Sequence, residues 1–434
     1  MSKIKPWAWV VLTASFLAFF FNSSLNYSAG VLHIALLERF PEENVTTISW
    51  LGALFSCMFS LAGWTGSILV STFNARVCVM LSGLVTLIGF VLSSFVVNMK
   101  YLFITYSLIA GIGQAMCYSG TLVTLGYYFK EKTGMASGIA LSGCGLCTFV
   151  FPPLSQFLIA TYGLDGAFLL LGALGFQASV CGALMRPTEY EVRTNRKICC
   201  DKNSNTVSTP GKKTNKRNWR EKFRFCKSLP FFLFLISSVS FNMAQSTVYL
   251  FIPDYFVHTG SSPQEAAFAI SLVGVTGILS RVLLGFMVTL VDTALVYGST
   301  FGIIGVITVF LNYMTTLGSK LTYTSLFGIY MGGCWALHYT LLVDIVGLYD
   351  VPAALGISMM ACGGGYLIGP PIAEMFVLKF GDYYYAFAFT AALFMLASIT
   401  GFAMKACPKK IDVLEVEIDE EIQTCMIANI DGER

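Results

Sequence analysis

The chain has 434 residues, of which 56% are hydrophobic and only 12% charged, with 27 Lys and Arg against 24 Asp and Glu for a formal net charge of +3. That composition excludes an ordinary soluble domain, in which about a quarter of the residues are charged. The small positive balance is placed by topology, as shown below, so no nucleic-acid partner is expected.

In chain order, apolar runs long enough to cross roughly 30 Å of hydrocarbon as a helix recur twelve times. They lie at 9–31, 48–70, 77–97, 101–127, 134–160 and 166–185, then at 230–257, 264–288, 293–313, 322–347, 353–378 and 383–404. The first run is too long for a signal-peptide core, has no small-residue cleavage pattern behind it and leads straight into a second span, so it reads as retained. The expected fold class is all-α: a membrane protein of twelve transmembrane helices in two six-helix halves.

Basic residues orient the spans. With a cytosolic N-terminus, the inner segments hold 22 of the 27 Lys and Arg, including Arg76, Lys130, Lys132 and thirteen from Arg186 to Lys227. The outer loops hold only Arg39, Lys100, Lys320 and Lys379. This bias puts both termini in the cytosol of a multi-pass protein, with the plasma membrane the expected location and the lipid bilayer its surroundings. The thirteen cysteines fall in spans or inner segments, so no external disulfide is expected. Cys199 and Cys200 are either palmitoylation sites or unmodified loop cysteines, and Asn44-Val45-Thr46 is an outer-side glycosylation sequon.

The composition divides the chain into an N-terminal half (1–186), a polar linker (187–228), a C-terminal half (229–405) and an acidic tail (406–434). The linker is too polar to bury a core and is expected to be disordered. The halves share a pattern. Ala136, Gly138, Gly145, Pro152 and Pro153 in the fifth span are matched by Ala354, Gly356, Gly363, Pro370 and Pro371 in the eleventh, each offset by 218 residues. Glycines seven apart share a helix face and let a neighbouring backbone approach, and paired prolines are expected to kink or break the outer half of each span. Packing alone accounts for such residues. Parallel six-helix repeats with corresponding irregular helices are, however, what an alternating-access carrier requires, with its site between the halves near midplane.

An ionisable side chain deep in a span needs a reason. Arg281 is the clearest, about seven residues short of the inner end of the eighth span, with Gly277 and Gly285 one turn away on either side. It either snorkels to the interface or presents a planar fork of donors, the best side-chain match to a carboxylate. Asn26 and Tyr27, beside Asn22, Ser23 and Ser24, form a polar patch in the first span, suited to substrate contact or helix packing. Trp335 and His338, one turn apart in the tenth span, are candidates for the cavity wall or for plain packing. With three histidines and no HExxH, CxxC, GxSxG or GxxxxGK[ST] pattern, nothing supports an enzyme, a cofactor or a metal.

Several stretches carry a family resemblance. Trp7-Ala8-Trp9 opens the first span, and Tyr128-Phe129-Lys130-Glu131-Lys132-Thr133-Gly134-Met135-Ala136-Ser137-Gly138 opens the fifth. Ser49-Trp50, Asp344-x-Val346-Gly347, Gly369-Pro370-Pro371 and Gly381-Asp382-Tyr383 follow. Over its twelve spans the chain resembles the monocarboxylate transporters, the monocarboxylate porter branch of the major facilitator superfamily. The resemblance implies that Arg281 stands where the family binds a substrate carboxylate. It also exposes departures: the proton-coupled lactate carriers have a lysine where Tyr27 stands and an aspartate where Gly277 stands, and Thr133 replaces an arginine of the fifth-span signature. Cys181-Gly182-Ala183-Leu184-Met185-Arg186-Pro187 looks most like the carnitine and creatine carriers.

The expectation is therefore a secondary transporter for a small carboxylate-bearing solute (a monocarboxylate, or a carnitine-, creatine- or amino-acid-like compound), not obligatorily proton-coupled. Some relatives need a single-span accessory protein, so the resemblance admits one here. The other reading is a non-transporting receptor or scaffold of transporter ancestry. Gly138, Gly145, Pro152, Pro153, Gly356, Gly363, Pro370 and Pro371 are the expected packing and gating positions.

Overall fold

The computed structural model describes residues 6–27, 29–42, 45–188, 191 and 224–406; for 24–27, 29–30, 33–34, 45–46, 49, 53, 131, 224, 263 and 267 it describes the backbone alone. Asn44, Cys199, Cys200, most of the linker with its expected disorder, and the acidic tail lie outside the described residues.

The described residues form helices joined by short turns. Span 1 is Pro6–Tyr27, span 2 is Val45–Leu61 with Gly63–Thr72, span 3 is Ala75–Ser94, and span 4 runs from Met99–Leu102 through a π-helical stretch, Phe103–Ala110, into Gly111–Tyr128. Spans 7, 8, 9, 11 and 12 are Leu229–His258, Pro263–Met287, Thr293–Val309, Val351–Phe380 and Tyr383–Lys405, and span 10 is Leu317–Met331 with Cys334–Val346. Eleven stretches among the described residues are long and apolar enough to cross a membrane. The expected twelfth is contained in one of them. Thr133–Leu184 has 52 residues, breaks at Gly163 (φ 70°, ψ 178°), and at ~1.5 Å per residue is far too long for one crossing, so it supplies spans 5 and 6. Only glycine adopts that backbone readily.

Of the two expected effects of the proline pairs, a kink or a break, the spans show no break there. Thr133–Leu184 continues as helix through Pro152 and Pro153, and Val351–Phe380 continues through Pro370 and Pro371. In hydrocarbon every lost backbone bond is costly, so a helix gives up the bonds proline removes and keeps the rest.

Small residues set the packing. In the N-terminal half Gly83 lies against Ser179 and Gly182 against Met80, joining spans 3 and 6. In the C-terminal half Gly298 and Gly401 face each other, joining spans 9 and 12; a Cβ on Gly401 would stand 2.9 Å from the Gly298 Cα. The halves meet through spans 5 and 8 on one side and spans 2 and 11 on the other. These contacts gather toward the face where span 6 ends and span 7 begins, called here the linker face. Gly134 and Gly138 pack on Gly285, and Gly356 packs on Trp64 and Ser67, whose hydroxyl donates to the Pro352 carbonyl.

The same face holds both ends of the N-terminal half together. Trp7 Nε1 donates to the Leu184 carbonyl at 3.3 Å, and the Arg186 guanidinium lies 3.9 Å above the Trp7 ring. The buried carboxylate of Glu191, at the start of the linker, accepts from the Ala75 amide at 2.6 Å and caps span 3; burial pushes this carboxyl above the usual range. On the opposite face an Arg39–Asp165 salt bridge ties the end of a short helix, Ala29–Arg39, to the start of span 6.

Candidate functional site

Arg281 sits where the two halves touch, and glycines on three helices bring it there. Span 10 is interrupted between Met331 and Cys334. The amides of Ala336 and Leu337 both bond to the Gly333 carbonyl, and Gly333 N donates to Ser280 Oγ at 3.0 Å. The interruption turns the Gly332 carbonyl toward span 8, where Arg281 Nε donates to it at 3.1 Å. Gly328 and Gly332 allow this approach, because a Cβ on either would collide with Val273, Thr276 or Gly277 of span 8.

The other contact comes from the opposite half. Arg281 Nη1 donates to the Leu141 carbonyl of span 5 at 2.9 Å. Gly145, one turn beyond Leu141, makes room for it: a Cβ there would stand 3.0 Å from Nη1 and would strike Ile278. One turn before Leu141, a Cβ on Gly138 would strike the Arg281 carbonyl and stand 3.1 Å from the Gly285 Cα. The symmetry mates repeat the arrangement on spans 2 and 11. A Cβ on Gly363 would meet Ser60 and Leu61 at 3.0 Å, and one on Gly356 would stand 3.1 Å from the Trp64 Cα. The glycines of the repeated pattern thus face the opposite half in both copies. Gly277 packs against Gly332.

Next to Arg281 the interface is aromatic. Tyr118 of span 4 lies edge-on to Trp335 of span 10, with ring centroids 6.1 Å apart, and also packs on Phe59 and Phe19 at 5.2 and 5.8 Å. Trp335 therefore spans the boundary between the halves. His338 is 5.8 Å from Trp335 but turns into the C-terminal half, fully buried between Phe234 and Phe241, with Nδ1 3.5 Å from Ser238 Oγ. Asn26 and Tyr27 end span 1, and their side chains lie outside the described residues. Their neighbour Asn22 exchanges hydrogen bonds with span 4: its Nδ2 donates to the Gln114 carbonyl, and Gln114 Nε2 donates back to the Asn22 carbonyl at 2.7 Å. Below this layer, a cavity of about 190 Å³ on the linker face is lined by Lys130 and Thr133 from one half and Asp292, Thr340 and Asp344 from the other.

Sequence reasoning missed Tyr118, whose ring meets Trp335 across the boundary between the halves. It carried no signal, because aromatic residues are common throughout these spans.

Two six-helix halves that meet around one intramembrane arginine define a secondary transporter. The chain belongs to the Major Facilitator Superfamily, whose family model matches residues 8–336.

Its curated relatives are monocarboxylate transporters, as the motifs indicated. Monocarboxylate transporter 12 of Xenopus laevis is 27% identical over 96% of this chain and 94% of its own length, and monocarboxylate transporter 2 of Homo sapiens is 27% identical over 91% and 84%. Among solved structures, the E. coli fucose:proton symporter FucP aligns with a TM-score of 0.70 at 12% identity over 91% of this chain and 98% of that one. The proton:xylose symporter XylE aligns with a TM-score of 0.68 at 14% identity over 93% and 97%. At these identities the structural likeness concerns the fold. The chain is a multi-pass membrane protein of a transporter family and not an enzyme.

Proposed function

We propose that this protein carries a small carboxylate-bearing organic solute across the plasma membrane by alternating access, with Arg281 binding the carboxylate. The observation that carries the proposal is the position of the guanidinium, which is held by one main-chain carbonyl from each half. A guanidinium has five N–H donors in a planar fork, and a carboxylate is the acceptor that best fits it. The two backbone carbonyls orient the group at the boundary between the halves. A snorkelling arginine would instead reach for the interface. Trp335 contributes the wall of the substrate site with His338 behind it, and Asn26 and Tyr27 of span 1 are its further candidate contacts.

The linker face is assigned to the cytosol. It carries the basic excess, and Trp7 is pinned to the end of span 6 there. The halves pack against each other on that face. Protease added outside intact cells is expected to leave the linker uncut, and cleavage between 187 and 228 under those conditions would reverse the assignment.

Transport is expected to be independent of an imposed proton gradient. Tyr27 and Gly277 replace the lysine and aspartate of the proton-coupled relatives, and His338 is fully buried among aromatic rings. The test is uptake into vesicles with and without an inward proton gradient, with internal pH followed in parallel. Equal initial rates and an unchanged internal pH are expected. Uphill accumulation that collapses with a protonophore, with matching internal acidification, would show coupling.

A further inference from the structure

We propose that Cys144 is a covalent modification site for short α-halo acids: Arg281 holds the carboxylate of the reagent while the Cys144 sulfur attacks the carbon next to it. This rests on the assignment of Arg281 to the carboxylate.

Span 5 has two sides. Leu146, Phe149, Val150 and Phe157 are exposed and form its outer side. Leu141 and Cys144, at i and i+3, lie on the opposite side, where Phe151 and Ser155 are buried in the bundle. Leu141 supplies the carbonyl that holds Arg281 Nη1 at 2.9 Å, and a Cβ on Gly145, the residue after Cys144, would stand 3.0 Å from the same nitrogen. The thiol thus belongs to the helical turn that binds the guanidinium, and the two groups interact electrostatically. Span 1 fixes its direction. Ser23 Oγ donates to Cys144 Sγ at 2.9 Å, and the thiol donates to the Phe19 carbonyl at 3.9 Å. The Phe19 ring packs on Tyr118, which meets Trp335, so the thiol borders the aromatic contact between the halves.

Two further observations single this place out. The Tyr118 hydroxyl is buried without a partner, on a residue 5% exposed, and its electrostatic neighbours include both Cys144 and Arg281. A buried hydroxyl left unpaired beside a guanidinium marks room for a polar ligand atom. Of the nine cysteines among the described residues, seven are buried; Cys144 and Cys226 are partly exposed, and Cys226 lies outside the spans in Arg224–Lys227. The accessible thiol within the described spans is therefore the one beside Arg281.

An α-halo acid carries its leaving group on the carbon attached to the carboxylate, so seating the carboxylate on Arg281 brings that carbon to the neighbouring sulfur. A C–S bond forms, the carbon–halogen bond breaks and halide leaves, and the thiol proton passes to water; nothing is oxidised or reduced. The rate gain is one of proximity, because the carboxylate contact holds electrophile and thiol together.

The test compares iodoacetate with iodoacetamide on the purified full chain in proteoliposomes. Cys144 labelling is followed by site-resolved mass spectrometry, and each rate is divided by that of glutathione with the same reagent. On this scale iodoacetate is expected to label Cys144 about tenfold or more faster than iodoacetamide, and Arg281→Gln to remove the preference. Acetate, at ionic strength matched with chloride, should slow the labelling, and acetamide should not. Equal scaled rates, labelling by neither reagent, or a preference that survives Arg281→Gln overturns the site. Should Arg281→Gln fail to fold, an iodoacetate preference that acetate leaves untouched overturns it as well. Acetate that stabilises wild type but not Arg281→Gln against heat, alongside equal labelling rates, would strike the Cys144 site and leave the carboxylate assignment standing. Uptake indifferent to Arg281→Gln would remove both.

Discussion

Arg281→Gln is expected to lower apparent affinity or uptake rate about tenfold or more in protein that still reaches the membrane. A charge-assisted hydrogen bond contributes about 1.5 to 3 kcal/mol, which at about 1.4 kcal/mol per decade corresponds to roughly ten- to a hundredfold. Glutamine could still donate to Leu141 or to Gly332, but it loses the charge that selects a carboxylate. Arg281→Lys should rescue poorly, because one ammonium lacks the planar fork that reaches the carbonyls of both halves and the ligand together. The measurement is concentration-dependent uptake normalised to surface protein. Normal kinetics in Arg281→Gln would reduce the residue to an anchor.

Gly138→Ala is expected to cost comparably, although it adds one methyl group and improves intrinsic helix propensity by about 1 kcal/mol. The new Cβ would strike the Arg281 carbonyl and crowd the Gly285 Cα, and both are backbone atoms that cannot swing aside. Spans 5 and 8 would have to separate at the linker face. Overpacking of this kind costs about 1–3 kcal/mol, which shifts a two-state equilibrium by roughly five- to a hundredfold away from the state closed there. Uptake should fall while monodispersity and melting temperature change little. Spin-label distances between the linker-face ends of spans 5 and 8 should lengthen relative to wild type. Full uptake with unchanged distances would show that this contact does not gate the cycle.

Much of this arrangement was legible from residue patterns. Span count followed from apolar run length, and the duplication from the 218-residue offset that pairs Gly138 with Gly356 and Gly145 with Gly363. The break between spans 5 and 6 was legible as a gap between apolar runs, but its site at Gly163 was not, since a single positive φ leaves no compositional trace. That the helix continues through the proline pairs was not legible, because sequence reports the bond proline removes and not the neighbours that support the helix around it. Arg281 was visible as a charge out of place. Its partners were not, because main-chain carbonyls have no residue identity and Gly332 is exposed to it only by the interruption of span 10. Trp335 and His338 were legible as one turn apart, but that spacing does not say that Trp335 meets Tyr118 of the other half while His338 is buried among rings of its own half.

The central claim, a carrier that recognises a carboxylate through Arg281, is tested most directly by counterflow in proteoliposomes. Vesicles holding purified protein are loaded with an unlabelled carboxylate-bearing solute, and entry of the labelled compound is followed beside Arg281→Gln vesicles and the uncharged amide analogue. The account predicts transient, saturable accumulation of the label in wild-type vesicles that is absent for the amide and reduced about tenfold or more by Arg281→Gln. Equal counterflow of the carboxylate and its amide, unaffected by Arg281→Gln, would contradict it.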